Sequence, residues 1–181
     1  MAKIDEFLEL RIFIEQINVP LIKIYMKNLW ATIKKSEELT DIYLTNNAPT
    51  QDILKIRNEV IKYKKLIREG NGINIFGAQK SLQLEQYPDF LTYQKTPIFK
   101  KRKVYSLSNN SKIELGKIQV FDQKYYTACI EALNITDFIF LFNKIGMHNL
   151  LHAALKNSKN QIINGYNQFL THLSSANTIS T

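Results

Sequence analysis

Two histidines, His148 and His152, stand four residues apart, the spacing that puts both on one helix face and lets them share a metal ion. A zinc-protease helix needs a glutamate directly after the first histidine. Asn149 sits there, so that hydrolase is excluded. A third ligand would have to be His172 or a carboxylate such as Glu131, and the pair reads more simply as surface or core-edge histidines. The single cysteine, Cys129, lies between Ala128 and Ile130 with no His or Lys beside it in sequence to favour a thiolate, which makes it a buried thiol. Gly70, Gly72 and Gly77 fit neither the phosphate-loop pattern nor the dinucleotide-binding pattern. No catalytic residue, metal ligand or cofactor is assigned.

The remaining candidate chemistry is electrostatic. Lys100, Lys101, Arg102 and Lys103 run together between Phe99 and Tyr105, with Tyr93 and Lys95 just upstream. Cations neutralise phosphates and aromatic rings stack on bases, so this interleaving is a candidate nucleic-acid surface. Lys62, Lys64, Lys65 and Arg68 extend it from the preceding segment. The charge is local. Residues 51–104 hold twelve Lys or Arg against five Asp or Glu, whereas the rest of the chain holds twelve against eleven, within a formal net charge of +8. A localised excess points to an acidic partner more than a uniformly basic chain would.

The elements that must carry these residues read as helices. Thr50 can cap a helix whose first turn holds Asp52 and whose apolar stripe is Ile53, Ile56, Val60, Tyr63 and Ile67, ended by Gly70. Residues 3–17 read as an amphipathic helix, although Leu10, Ile12 and Ile14 also alternate as a strand would. A second helix from about Asn18 repeats Ile22, Met26, Leu29 and Ile33 and runs on toward Tyr43. Short connections make these an N-terminal antiparallel helical hairpin. Residues 104–120 read as a β-hairpin with a bulge at Gly116. A C-terminal helical cluster follows. Asp122 caps a helix to about Asn134, a second runs from Thr136 toward Gly146, a third covers Met147–Asn157, and Ser158 with Gln161 opens the last.

The predicted fold is therefore mainly α with a small β-hairpin, a single globular domain over 1–173 with a polar tail over 174–181. With 181 residues and 45% hydrophobic content the chain can bury a core. One cysteine excludes an intramolecular disulfide, and no secretory signal is evident, so an intracellular, reducing compartment is expected. The apolar stretch 135–155 carries too many polar groups for a membrane span. The first functional expectation is a non-enzymatic interaction or structural subunit of a larger intracellular assembly, bound to protein partners. The second is a DNA- or RNA-binding accessory protein working through 51–104.

Overall fold

In the computed structural model, residues 6–15, 32–46, 52–70, 73–83, 89, 92–106, 111–149, 152, 162–163 and 165–178 are described. Strands dominate them. The elements are β1 (Glu6–Glu15), β2 (Thr32–Thr45), β3 (Ile53–Arg57), β4 (Val60–Lys64), β5 (Leu66–Gly70), β6 (Ile73–Gly77), β7 (Lys80–Leu82), β8 (Gln94–Ser106), β9 (Lys112–Val120), β10 (Gln123–Ala132), helix α1 (Ile135–Lys144), β11 (Ile162–Ile163) and helix α2 (Tyr166–Thr178). The mainly α prediction is thus overturned, and with it the N-terminal helical hairpin and most of the C-terminal helical cluster. The second predicted helix lies outside the described residues over 16–31, and its continuation past Thr32 is the long strand β2.

The error over 50–69 has a local cause. A three-and-four spacing of Ile53, Ile56, Val60 and Tyr63 fits a helix only if no turn falls among them. Asn58 and Glu59 both have positive φ, 49° and 64°, and form a two-residue hairpin turn. That geometry matches the twist of antiparallel strands. It sets Ile56 opposite Ile61 and Lys55 opposite Lys62. Phe121 and Asp122, with φ of 48° and 63°, do the same between β9 and β10, so Asp122 is a turn residue and not the predicted helix cap. The β8–β9 pairing is as expected, but the bulge is absent: Arg102 faces Gly116 in an unbroken register. Gly116 is needed there for space. A Cβ would sit 3.1 Å from the Arg102 Cβ and 3.1 Å from the Lys101 carbonyl oxygen.

The strands form one curled antiparallel sheet, in the order β5-β6-β1-β10-β9-β8-β2-β3-β4-β7, with β11 also on β1. β4 continues almost directly into β5, and β6 into β7. This ribbon pairs with β1 through β6 and with β3 through β4, so it links the two ends of the curl. Alternation then sends every second side chain inward. The outward residues of β1, β9 and β10 (Leu10, Ile12, Ile113, Leu115, Ile130) pack against Phe138, Leu141, Ile145 and Met147, the buried side of α1 and the turn after it. Asn134 caps α1, accepting from the Asp137 amide. The first predicted boundary that holds in this half is therefore that of the helix near 136–146. At one end of the curl, inward residues Phe13, Tyr43, Ile98, Ile118 and Tyr125 meet Tyr166, Phe169, Leu170 and Leu173 of α2. Phe13 stacks on Phe169 with ring centroids 4.0 Å apart. The last helix thus fills that end.

The turn assignment makes a sharp prediction. A left-handed backbone costs a non-glycine residue about 1–2 kcal/mol, of which glycine's extra chain entropy returns roughly half. Glu59→Gly should raise the unfolding free energy in urea by up to about 1 kcal/mol. Within a helix the same change would lower it by about as much.

Candidate functional site

The inward face of the curl is charged. Glu9 and Arg11 on β1, Asp41 on β2, Lys55 and Arg57 on β3, Lys62 and Lys64 on β4, Lys100 and Arg102 on β8, Lys112 and Glu114 on β9 and Glu131 on β10 all stand at alternate positions facing the interior. All but Asp41 line a cavity of about 580 Å³. Nine basic residues line it, among them Lys35, against three acidic ones, Glu9, Glu114 and Glu131.

Three anionic centres organise the cations. Asp41 is fully buried and takes Arg57 in a forked pair at 2.5 and 2.7 Å, Lys55 at 3.0 Å and Lys100 at 2.9 Å. Glu114 accepts from Arg11 at 2.7 Å and from Arg102, which also reaches Glu37. Glu9 and Glu131 converge on the Lys64 ammonium at 3.2 and 3.0 Å, and Glu131 also takes Lys112 at 3.0 Å. Arg11 closes the ring by donating to Glu9 and to the Thr127 hydroxyl, both at 3.3 Å.

Burial would favour the neutral forms of Asp41, Glu114 and Glu131, yet the cations outweigh it. Burial opposes ionisation of Asp41, but the Arg57 hydrogen bond and the Lys100 and Lys55 charges hold it well below the usual carboxylate range. Arg11 and Arg102 do the same for Glu114 against its burial, and Lys64 and Lys112 hold Glu131 down at about 2. The cations share the cost. Burial brings Lys55 down to about 8 against the pull of Asp41, with Arg57 adding repulsion. Lys100 is lowered as well, by burial and then by the Lys55 charge, against the pull of Asp41. Lys100 also donates to the Tyr43 hydroxyl at 2.7 Å and lies 3.7 Å from the centre of the Tyr166 ring. Too few carboxylates for the cations present is the electrostatic signature of an anion site.

The residues proposed from sequence divide between the faces of the sheet. Lys62, Lys64, Lys100 and Arg102 line the cavity. Lys65, Arg68, Lys95, Phe99, Lys101 and Lys103 are exposed on the outside. Tyr93 leans on the outer cluster of Leu44, Leu54 and Ile61, and Tyr105 is buried under α1. Consecutive residues of a strand point apart, so Lys100–Lys103 is two pairs on opposite faces rather than one patch. Glu9, Arg11, Asp41, Lys55, Arg57, Lys112, Glu114 and Tyr166 were not in that set. Their common signal is charge at i and i+2, repeated from strand to strand. Cys129 is a buried thiol, as expected, but on a strand and lining the cavity. His148 and His152 are exposed, and among the described residues no group of three or more His, Cys, Asp or Glu is placed to hold a metal. No described helix is long and apolar enough to cross a membrane.

No protein-family profile matches the chain, and no curated protein is detectably similar in sequence. Solved structures do match. A proposed adenylyl cyclase from Hippeastrum, described as having a dominant triphosphatase activity, aligns at a TM-score of 0.58 and 11% identity, over 93% of this chain and 96% of its own. A conserved hypothetical protein from Pyrococcus furiosus aligns at 0.52 and 16%, over 76% and 90%. A proposed adenylate cyclase from Bacillus halodurans aligns at 0.50 and 7%, over 78% and 91%. At these identities the likeness is one of fold. It nonetheless overturns the expectation of a non-enzymatic assembly subunit. The fold is one that proteins described as cyclases and a triphosphatase also adopt, and the most basic part of this chain turns half its charge inward.

Removing the Asp41 charge should expose how strained this arrangement is. Asp41→Asn leaves Arg57, Lys55 and Lys100 facing one another without their shared counter-ion. The variant should lose about 3–5 kcal/mol of stability in urea titration. Sulfate or pyrophosphate should recover part of that loss, because an anion in the cavity supplies the missing charge.

Proposed function

We propose that this protein is an enzyme that binds the phosphate chain of a triphosphate, inorganic or nucleoside-borne, in the cavity and hydrolyses its phosphoanhydride bond. The observation that carries this is the lining: nine basic residues around one cavity, against five carboxylates, Glu9, Glu37, Asp41, Glu114 and Glu131, that pair with them. The fold shared with the Hippeastrum protein described as having a dominant triphosphatase activity supports the same reading.

Phosphoryl transfer asks little covalent work of a protein. Its transition state spreads charge over the equatorial oxygens, and catalysis is positioning plus charge stabilisation. Arg11 and Arg102, both fixed by Glu114, present guanidinium groups suited to gripping phosphate oxygens in pairs. Lys100 and Lys55 add point charges deeper in. A water attacks the terminal phosphorus, the bridging P–O bond breaks, and orthophosphate and the shortened chain leave. Magnesium-type ions are commonly held by one or two carboxylates together with substrate phosphates. Glu9 and Glu131 suit that role, because their carboxylates already converge on one cation, Lys64. An ion held there would supply Lewis-acid charge to the phosphate oxygens.

The direct test is orthophosphate release from tripolyphosphate, ATP and GTP, with and without magnesium or manganese. Turnover of at least one of them is expected, and Arg102→Ala should reduce kcat/KM by about a hundredfold or more. Absence of both turnover and binding would overturn the reading.

A pH dependence follows from Lys55. Its folded value of about 8 lies below its ordinary 10.5, so its positive charge is present below pH 8 and lost as pH rises through that value. This ammonium costs stability when charged, and the cost is relieved as pH rises from about 8 toward 10.5. Anion affinity runs the other way. Triphosphate binding measured by calorimetry should weaken as pH rises past about 8, and Lys55→Met should flatten that limb of the profile.

A further inference from the structure

The cavity is closed at the end filled by α2, where Tyr166, Phe169 and Leu170 pack against the inward faces of β1, β2, β8 and β10. Tyr166 is the residue of that helix that lines the cavity. Its ring stacks on Tyr43 at 4.6 Å and meets Phe13 edge-on at 5.1 Å, so the ring is fixed. Its hydroxyl is buried and has no hydrogen-bond partner, the only such atom among the described cavity-lining residues. A buried hydroxyl is normally paired, and one left open beside a cavity marks where a ligand atom belongs. The charges acting on it are those of Arg11, Glu114, Asp41 and Arg102, all groups of the inner wall. Arg11 and Lys100 flank the same ring, at 4.9 and 3.7 Å from its centre.

We propose that this closed end is a subsite for the terminal phosphoryl group of a linear phosphate chain, with the Tyr166 hydroxyl as hydrogen-bond donor and Arg11 and Lys100 as its cations, so that the site selects substrates with a free chain end. The inference rests on the polyphosphate reading of the cavity and adds its direction. The terminal phosphoryl group carries more negative charge than an internal one. It belongs beside an undercompensated cation, and Lys100 is one, sharing its one carboxylate, Asp41, with Lys55 and Arg57, whereas Arg11 faces both Glu9 and Glu114. Burial raises the Tyr166 hydroxyl above its ordinary value, so it remains a donor at working pH. Tyr166 acts here in binding the chain end and is given no part in moving protons.

The experiment compares the wild type and Tyr166→Phe, which removes one oxygen and keeps the ring. Calorimetry would measure binding of linear tripolyphosphate and of cyclic trimetaphosphate, which has no end group, with melting temperature read in parallel. The expected result is a loss of about tenfold in affinity for the linear chain, no change for the ring, and an unchanged melting temperature. Equal affinity of the variant and the wild type for the linear chain would overturn the subsite. So would an equal loss for chain and ring, or a lowered melting temperature with affinity intact, since either marks Tyr166 as structural. A wild type that binds neither phosphate would instead overturn the polyphosphate reading, and the subsite with it.

Discussion

The structure depends on one fully buried carboxylate, Asp41, and the three cations gathered on it. Lys55 and Arg57 come from β3 and Lys100 from β8, the two strands that flank β2. Three positive charges that close would repel strongly in a medium of low polarity, and no apolar residue could replace the carboxylate without leaving them unpaired. Asp41 therefore ties three neighbouring strands together from within. Its single charge cannot balance three, and the remainder belongs to the cavity. Stability and anion affinity are drawn from the same imbalance, which is how binding sites commonly differ from structural ion pairs.

The sequence carried this arrangement in a form that a search for apolar periodicity passes over. Usual reasoning puts apolar residues inside and polar ones outside, and here the inside of the curl is the polar side. On β1, Leu8, Leu10, Ile12 and Ile14 alternate with Glu9, Arg11 and Phe13, and the apolar set faces α1 while the charged set faces the cavity. The strand alternation was visible over Leu8–Ile14 but competed with a helical count that fitted as many residues. The decisive cue lay in charges two apart: Glu9 and Arg11, Lys55 and Arg57, Lys62 and Lys64, Lys100 and Arg102, Lys112 and Glu114. On a helix such pairs point to different sides and have no reason to recur. On strands each pair shares a face, and five repeats on five strands imply one charged surface.

Turn chemistry explains the rest of the discrepancy. Hairpin turns with two left-handed residues favour glycine, and the glycine pairs that announce them are missing here. Asn58 and Asp122 are residue types that tolerate the left-handed conformation, but their partners Glu59 and Phe121 are not, so neither pair stands out as a turn. Where capping residues did their usual work, as at Asn134 and Asp137, the helix was legible to within a residue or two. Tyr166 was not legible at all. Its part arises from α2 closing one end of a sheet curl, a long-range contact that no local pattern encodes.

The division of charge between faces also sets how each part of the surface responds to its surroundings. Lys101, paired with Glu38, and Lys103 point outward, where salt screens charges over about 8–10 Å. Lys100 and Arg102, one residue along the same strand, are enclosed among fixed charges and screened far less. An anion reaching them exchanges its hydration for guanidinium and ammonium groups already held in place, so little reorganisation is needed on binding. The net charge of +8 thus has two components of unlike character. The outer one is diffuse and salt-sensitive and draws anions of any kind toward the protein. The inner one is rigid and undersupplied with carboxylate, and the cavity walls decide which anion fits.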